Sequence, residues 1–239
     1  ALGCSFCKTG TMGFIRNLSQ SEVLGQLIGI NDYVWAKEQM LVTNIVFMGM
    51  GEALSNYGVF TSCLDVLRDA DGFNLGPRRI TVSTAGVVPS IRRLISDQVD
   101  VGLAISLNTY NNERRNELMP INRRYPIEDV IAAARDFAHV HGRPVTFEYV
   151  VIAGENDSDL AARAVCELLS TLPCKVNLIP LNPGGSDSLG KPSIGAVENF
   201  GDRLRRGGLT VTIRSSRGQD IDGACGQLAG SAGSEVQPS

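Results

Sequence analysis

Six short apolar runs alternate with helical patterns along this chain, and that alternation restricts its fold more than any other feature. Thr43–Met48, Arg79–Ser83, Val101–Ser106, Val145–Val151, Lys175–Pro180 and Leu209–Ile213 read as strands. Helical periodicity recurs near 19–39, 57–70, 87–97, 126–140, 156–171 and 193–207. Ser19 with Glu22 forms a capping box, and Asp157 or Ser158 is placed to cap the fifth helix. Each unit takes about 30–40 residues, the length that a βαβ crossover needs. Near-continuous apolar strands joined by helices mean a parallel sheet. Leu54 stands where Gly-x-Gly-x-x-Gly would need its third glycine, so no dinucleotide fingerprint follows the first strand. The pattern predicts an α/β fold, an open or partial β/α barrel, with its chemistry at the carboxyl ends of the strands. Those ends are polar or glycine-rich: Gly49-Met50-Gly51-Glu52, Ser83-Thr84, Ser106-Leu107-Asn108, Asn182-Pro183-Gly184 and Arg214-Ser215-Ser216-Arg217.

The 239 residues carry 22 Lys and Arg against 25 Asp and Glu, a net charge of −3. That excludes a globally basic nucleic-acid binder but not a local basic face. No apolar run approaches the roughly 18 residues of a membrane span. The chain opens on Ala1-Leu2-Gly3-Cys4, without initiator Met or signal-type segment, and is expected to be part of something longer. Residues 1–230 read as one core and 231–239 as a flexible tail.

Six cysteines are too sparse for a disulfide scaffold, and a reducing cytoplasm is the expected compartment. Cys63, Cys166 and Cys174 fall inside helix or strand patterns and read as structural thiols. Cys4-Ser5-Phe6-Cys7 is a CxxC with three open readings: a redox pair, half a zinc site, or part of an iron–sulfur ligand set. Gly49-Met50-Gly51 is either a tight turn or a bare backbone that admits a ligand, with Glu52 beyond it suited to an ammonium group or to a helix start. Cys225 lies between Ala224 and Gly226, with little bulk to cover it. Arg203, Arg205, Arg206, Arg214 and Arg217 occupy a stretch without acids as far as Gln219, and Arg114, Arg115, Arg123 and Arg124 form a second cluster. A phosphate-rich substrate at the mouth of the barrel would explain both clusters; solvated helix faces are the plainer account.

Taken together, these stretches resemble the radical S-adenosylmethionine RNA methyltransferases that act on carbon 2 of adenine in 23S ribosomal RNA and transfer RNA. Cys4 and Cys7 with their flanks match the second and third cysteines of that family's C-x3-C-x2-C cluster motif, and Phe14-Ile15-Arg16-Asn17-Leu18 matches the segment that follows. The first cluster cysteine would fall just before Ala1. Met48-Gly49-Met50-Gly51-Glu52, Ser83-Thr84, Ser106-Leu107 and Asn182-Pro183 match cofactor-contacting strand ends, and Asp220–Gly230 matches the motif of the methyl-bearing cysteine. Ala53 stands in place of a proline and Asn108 in place of a histidine.

The resemblance implies a partial (β/α)6-type barrel of the radical S-adenosylmethionine class, with its first strand and amino-terminal domain missing. It implies a 4Fe–4S cluster on Cys4, Cys7 and the upstream cysteine. It also implies S-adenosylmethionine held by Gly51, Glu52, Ser83, Ser106, Leu107, Asn108 and Asn182, and an S-methylcysteine intermediate at Cys225. A 5′-deoxyadenosyl radical would take hydrogen from that methyl group, and the carbon radical would add to adenine. The implied partners are 23S ribosomal RNA, transfer RNA and an electron donor such as a flavodoxin. A monomer is expected, with no membrane partner. Two rivals are methylation of adenine carbon 8 by the related resistance enzyme, and a non-catalytic RNA-binding relative whose CxxC holds zinc or nothing.

Overall fold

The computed structural model describes residues 2–11, 13–182 and 189–214. Six strands form one parallel sheet: β1 (Ile45–Phe47), β2 (Ile80–Thr84), β3 (Gly102–Ser106), β4 (Val145–Val151), β5 (Cys174–Pro180) and β6 (Thr210–Ile213). Each strand pairs with the next in sequence, so the order runs from β1 to β6 without reversal. Right-handed crossovers that always step the same way place every helix on the same side of a sheet. The other face curls inward, as a partial barrel requires.

Among the described residues eight helices accompany the strands: α1 (Lys8–Thr11), α2 (Gln20–Glu38), α3 (Tyr57–Arg68), α4 (Val88–Ser96), α5 (Asn112–Leu118), α6 (Ile127–His141), α7 (Asp159–Leu169) and α8 (Ile194–Arg206). Local chemistry sets their ends. The Ser19–Glu22 capping box opens α2, Ser158 caps α7, Ser193 caps α8, and Gly142 closes α6 in the left-handed region at φ 59°. Helix α5 and three short 3-10 turns occupy stretches where the sequence shows no clear period.

The two sheet faces differ in kind. Outward residues such as Ile80, Val82, Ile105, Phe147, Tyr149, Val176 and Leu178 form the main core with Phe60, Leu64, Ile91, Phe137, Val165 and Phe200 of the helices. Each such side chain contributes about 1.5–3 kcal/mol when fully buried. The inward positions carry Thr81, Ala104, Thr146, Glu148, Lys175, Asn177 and Thr212. The expectation of strands apolar on both faces therefore holds only for the helix-packed side. Helix α2 has no buried residue, and Ile28, Tyr33 and Trp35 on it are exposed. No helix among the described residues is long and apolar enough to cross a membrane.

Candidate functional site

The cysteine loop docks over the carboxyl ends of the strands. Ser5 N donates to the Leu118 carbonyl at 3.0 Å, Cys7 N to the Cys4 carbonyl at 3.2 Å, and Gly10 N to the Cys7 carbonyl at 2.9 Å. A Cβ on Gly10 would stand 2.6 Å from the Cys4 carbonyl oxygen, so the loop closes this tightly only around glycine. Cys4 and Phe6 pack on a second apolar cluster of Leu118, Met119, Val150, Ile152, Ile179 and Leu181. Val150 and Ile179 follow Glu148 and Asn177 by two residues and so share their inward face. The CxxC thus sits above the inner face at its carboxyl end.

Electrostatically this compartment is divided. Burial pushes the Cys4 thiol up to about 11, and the Cys7 charge adds to the rise, while Arg115 opposes it. Arg115 is fully buried and makes no ion pair with a carboxylate among the described residues. Its fork is spent on strand ends: Nε donates to the Leu107 carbonyl at 3.1 Å, Nη2 to those of Ala85 at 2.9 Å and Ser106 at 2.8 Å, and Nη1 to Asn122 Oδ1 at 2.7 Å. Burial holds its pKa down to about 10. A buried cation without a carboxylate creates a place where negative charge is favoured.

Glu52 behaves at first sight as a turn cap. Its Oε1 accepts from Leu54 N at 3.2 Å and its Oε2 from Ala85 N at 2.8 Å. Burial raises its pKa against the pull of these two amides. A carboxylate offers about four lone-pair directions; with the Thr84 side chain also bonded to it, one remains for a ligand. Gly51 before it has φ 101°, which a side chain rarely tolerates.

The other expected contacts separate into two groups. Ser83 and Ser106 are half-buried, at inward positions directly above Thr81 and Ala104. Leu107 and Asn108 expose almost nothing. The Leu107 side chain lies in the main core. Asn108, in the left-handed region at φ 62°, accepts from Val150 N at 2.8 Å and takes Asn156 Nδ2 on its carbonyl at 2.7 Å. These two residues shape the strand end from behind and present no side-chain surface to a ligand. Asn182 is buried just after β5. Cys225, Arg217 and residues 231–239 lie outside the described residues.

Below the serines the inner face forms an open cleft with a volume of about 330 Å³. Glu148, only 7% exposed, lies in its wall. Asn177 Nδ2 donates to Glu148 Oε2 at 2.8 Å, and Thr212 Oγ1 lies 2.9 Å from Asn177 Oδ1 as its donor. Burial raises the Glu148 pKa, with Arg214 and Lys175 opposing. Sequence reasoning missed both Arg115 and this row. The signal for the row was the period-two recurrence of Thr146 and Glu148, Lys175 and Asn177, and Thr212 and Arg214.

The arginine clusters need correction. Arg115 is core, and Arg114 pairs with Glu117 and, at 2.8 Å, with Glu155. Arg203 pairs with Asp159 and Arg205 with Asp202, each at 2.7 Å. Acids distant in sequence, or one turn away on α8, neutralise what reads as bare positive charge. Arg214 lines the cavity and has no ion pair among the described residues.

No group of three or more metal-ligating side chains occurs among the described residues. Cys4 and Cys7 beside Arg115 fit part of an anionic cluster's ligand set, since the buried guanidinium offsets thiolate charge.

Comparison with known proteins agrees with this fold. The pattern of the radical SAM superfamily matches residues 1–164. A probable dual-specificity RNA methyltransferase RlmN of Desulfitobacterium hafniense is 44% identical over 230 residues, covering 95% of this chain and 64% of that protein. The dual-specificity RNA methyltransferase RlmN of Anaeromyxobacter dehalogenans is 44% identical over 237 residues, covering 98% and 63%. A radical SAM methyltransferase structure from Sphaerobacter thermophilus superposes with a TM-score of 0.91 at 47% identity, covering 95% of this chain and 66% of that one. A domain of a pyruvate-formate lyase-activating enzyme from Bacteroides vulgatus, at 19% identity and a TM-score of 0.53, shares the fold. The chain spans just under two thirds of these RlmN relatives.

Proposed function

Because the chain belongs to the radical SAM superfamily, whose members work with a 4Fe–4S cluster and S-adenosylmethionine, we propose that it is the catalytic core of an RNA methyltransferase of the RlmN kind. Its substrates are 23S ribosomal RNA and transfer RNA, and its target is carbon 2 of adenine. The observation that carries this reading is the CxxC loop held above an inward face bearing Ser83 and Ser106, between half-buried Glu52 and buried Arg115.

Cys4 and Cys7 would hold two irons of the cluster, which when bound would supply the electron that opens the sulfonium of S-adenosylmethionine. The chain's own residues position and protect. Glu52 offers a carboxylate to the cofactor's ammonium while its two amide bonds keep it oriented. Ser83, Ser106 and Asn182 give polar contacts at the strand ends. The apolar cluster around Leu118 and Ile179 keeps water from the loop. Arg115 sets the register of the β2 and β3 ends beneath it. Cys225 accepts the methyl group that is passed to RNA.

The test uses the chain with whatever sequence flanks it in its gene, reconstituted anaerobically with iron and sulfide. RNA lacking the modification is then treated with S-adenosylmethionine and a reductant, and its nucleosides are separated by mass spectrometry. Methylation at adenine carbon 2 is the expected product. Carbon 8 as the sole position would assign the sibling reaction, and no methylated adenosine would overturn the reading.

A further inference from the structure

We propose that the cavity on the inner face of the sheet receives the adenine base of the RNA substrate, with Glu148 accepting a hydrogen bond from the exocyclic amine. The inference rests on the RNA-methyltransferase reading and adds the residue that recognises the base.

Chemistry on a base requires the base to leave its stack and enter a pocket. At about 330 Å³, this cavity is within the range of sites that bury a small ligand. Its position is suitable. Thr81 and Ala104 in its wall lie one inward step below Ser83 and Ser106, and Met48 in its wall directly precedes the Gly49–Glu52 turn. A base seated here lies beneath the strand ends assigned to the cofactor.

The polar row has a direction. Thr212 donates to Asn177, and Asn177 donates to Glu148 Oε2. Glu148 has no other side-chain hydrogen bond and no ion pair among the described residues, although it is 93% buried by the 7% exposure given above. A carboxylate kept in such a place loses hydration; Arg214 and Lys175 in the same wall offset part of that cost through space, and a ligand's N–H donor would add a direct partner. Adenine presents an amino group as donor, whereas a purine lacking that group leaves the acceptor unpaired. Val46 and Met48 give the flat faces of a base an apolar wall, and Arg214 stands in the lining as a cation for the strand's phosphate or the ring.

The test takes a stem-loop methylated in the assay above and prepares it with adenine or unsubstituted purine at the methylated position. Binding to the intact protein is measured by fluorescence anisotropy, without reductant. Adenine should bind at least about tenfold tighter than purine. In Glu148→Met that preference should vanish, while S-adenosylmethionine affinity stays within about twofold. Equal affinity of the unaltered protein for both RNAs overturns the inference without any variant. Loss of cofactor affinity in Glu148→Met with the adenine preference retained also overturns it and assigns the cavity to the cofactor. If no RNA is methylated or bound, the RNA-methyltransferase reading itself falls.

Discussion

Glu52 and Arg115 meet on a single residue: Ala85 gives its amide to Glu52 Oε2 at 2.8 Å and receives Arg115 Nη2 on its carbonyl at 2.9 Å. A half-buried anion and a buried cation therefore grip the end of β2 from its two sides. Neither charge is spent directly on the other. The same guanidinium reaches the end of β3 through Ser106 and Leu107. The ends of β2 and β3 are thus fixed by hydrogen bonds from Arg115 to backbone carbonyls.

Arg115→Met should destabilise the protein by roughly 3–5 kcal/mol, the range for breaking a buried charged network, because three buried carbonyls lose their donor. Arg115→Lys should recover only part of this loss, since one ammonium cannot reproduce the planar fork. Urea denaturation of the three proteins checks the order. A loss below about 1 kcal/mol in Arg115→Met would show that water replaces the guanidinium freely.

Gly10→Ala should reduce iron bound per chain after reconstitution while leaving the thermal transition nearly unchanged. A methyl group there meets the Cys4 carbonyl oxygen at 2.6 Å and must push the cysteine loop from its seat. Gly25→Ala on α2 is the contrast, because nothing lies within 4 Å of its Cβ. That change should be neutral or stabilising by about 0.5–1 kcal/mol. Equal iron content in both variants would place the loop's tolerance elsewhere.

The strands and the main helices are legible because burial writes itself into the sequence period. Phe60, Leu64 and Leu67 mark the inner face of α3 at helical spacing, and Val145, Phe147, Tyr149 and Val151 mark the outer face of β4 at spacing two. The CxxC and the Gly51–Glu52 turn are legible as local motifs. Arg115 is not, because a buried arginine and a solvated one look alike until the tertiary fold brings Ala85, Ser106 and Asn122 to it. Asn108 is hidden for a related reason: its partners Val150 and Asn156 lie more than 40 residues on. The pairing of Arg203 with Asp159 crosses from α8 to α7, so acid-free local composition gives no warning of it.

Glu52 and Glu148 should make the protein more stable as pH falls toward the ordinary carboxylate range. Burial raises both pKa values above the reference of 4.5, so the folded state holds protons that the unfolded chain has released. The stability these groups contribute is full below about 4.5 and is lost as pH rises through their folded values. Over that window, Glu148→Gln should show a flatter decline of unfolding free energy with pH than the unaltered protein. Parallel curves would mean that Glu148 titrates alike in both states.

Arg214→Ala should weaken RNA binding and flatten its salt dependence by up to about one log–log unit. Arg214 has no ion pair among the described residues, unlike Arg203 and Arg205. Arg205→Ala should leave the salt slope unchanged, because its charge is already matched by Asp202. Binding measured over a salt series decides the case, and equal slopes for both variants would remove Arg214 from the RNA surface.

Cys225→Ala should retain the iron–sulfur cluster and lose RNA methylation. A thiolate is the side chain nucleophilic enough to take a methyl group from a sulfonium near neutral pH. The described cysteines outside the CxxC are poor substitutes. Cys63 is fully buried in α3 with its pKa raised by burial, Cys166 has its Sγ within 3.7 Å of the Leu204 carbonyl, and burial pushes Cys174 up to about 11. In the proposed reading Cys4 and Cys7 belong to the cluster. That leaves Cys225, flanked by Ala224 and Gly226 and following β6 in sequence. Peptide mass spectrometry should find an added methyl on the Cys225 peptide of the unaltered protein and none on those of Cys63, Cys166 or Cys174. If Cys225→Ala methylates adenine at the normal rate, the methyl group passes directly from cofactor to RNA and no protein thiol carries it.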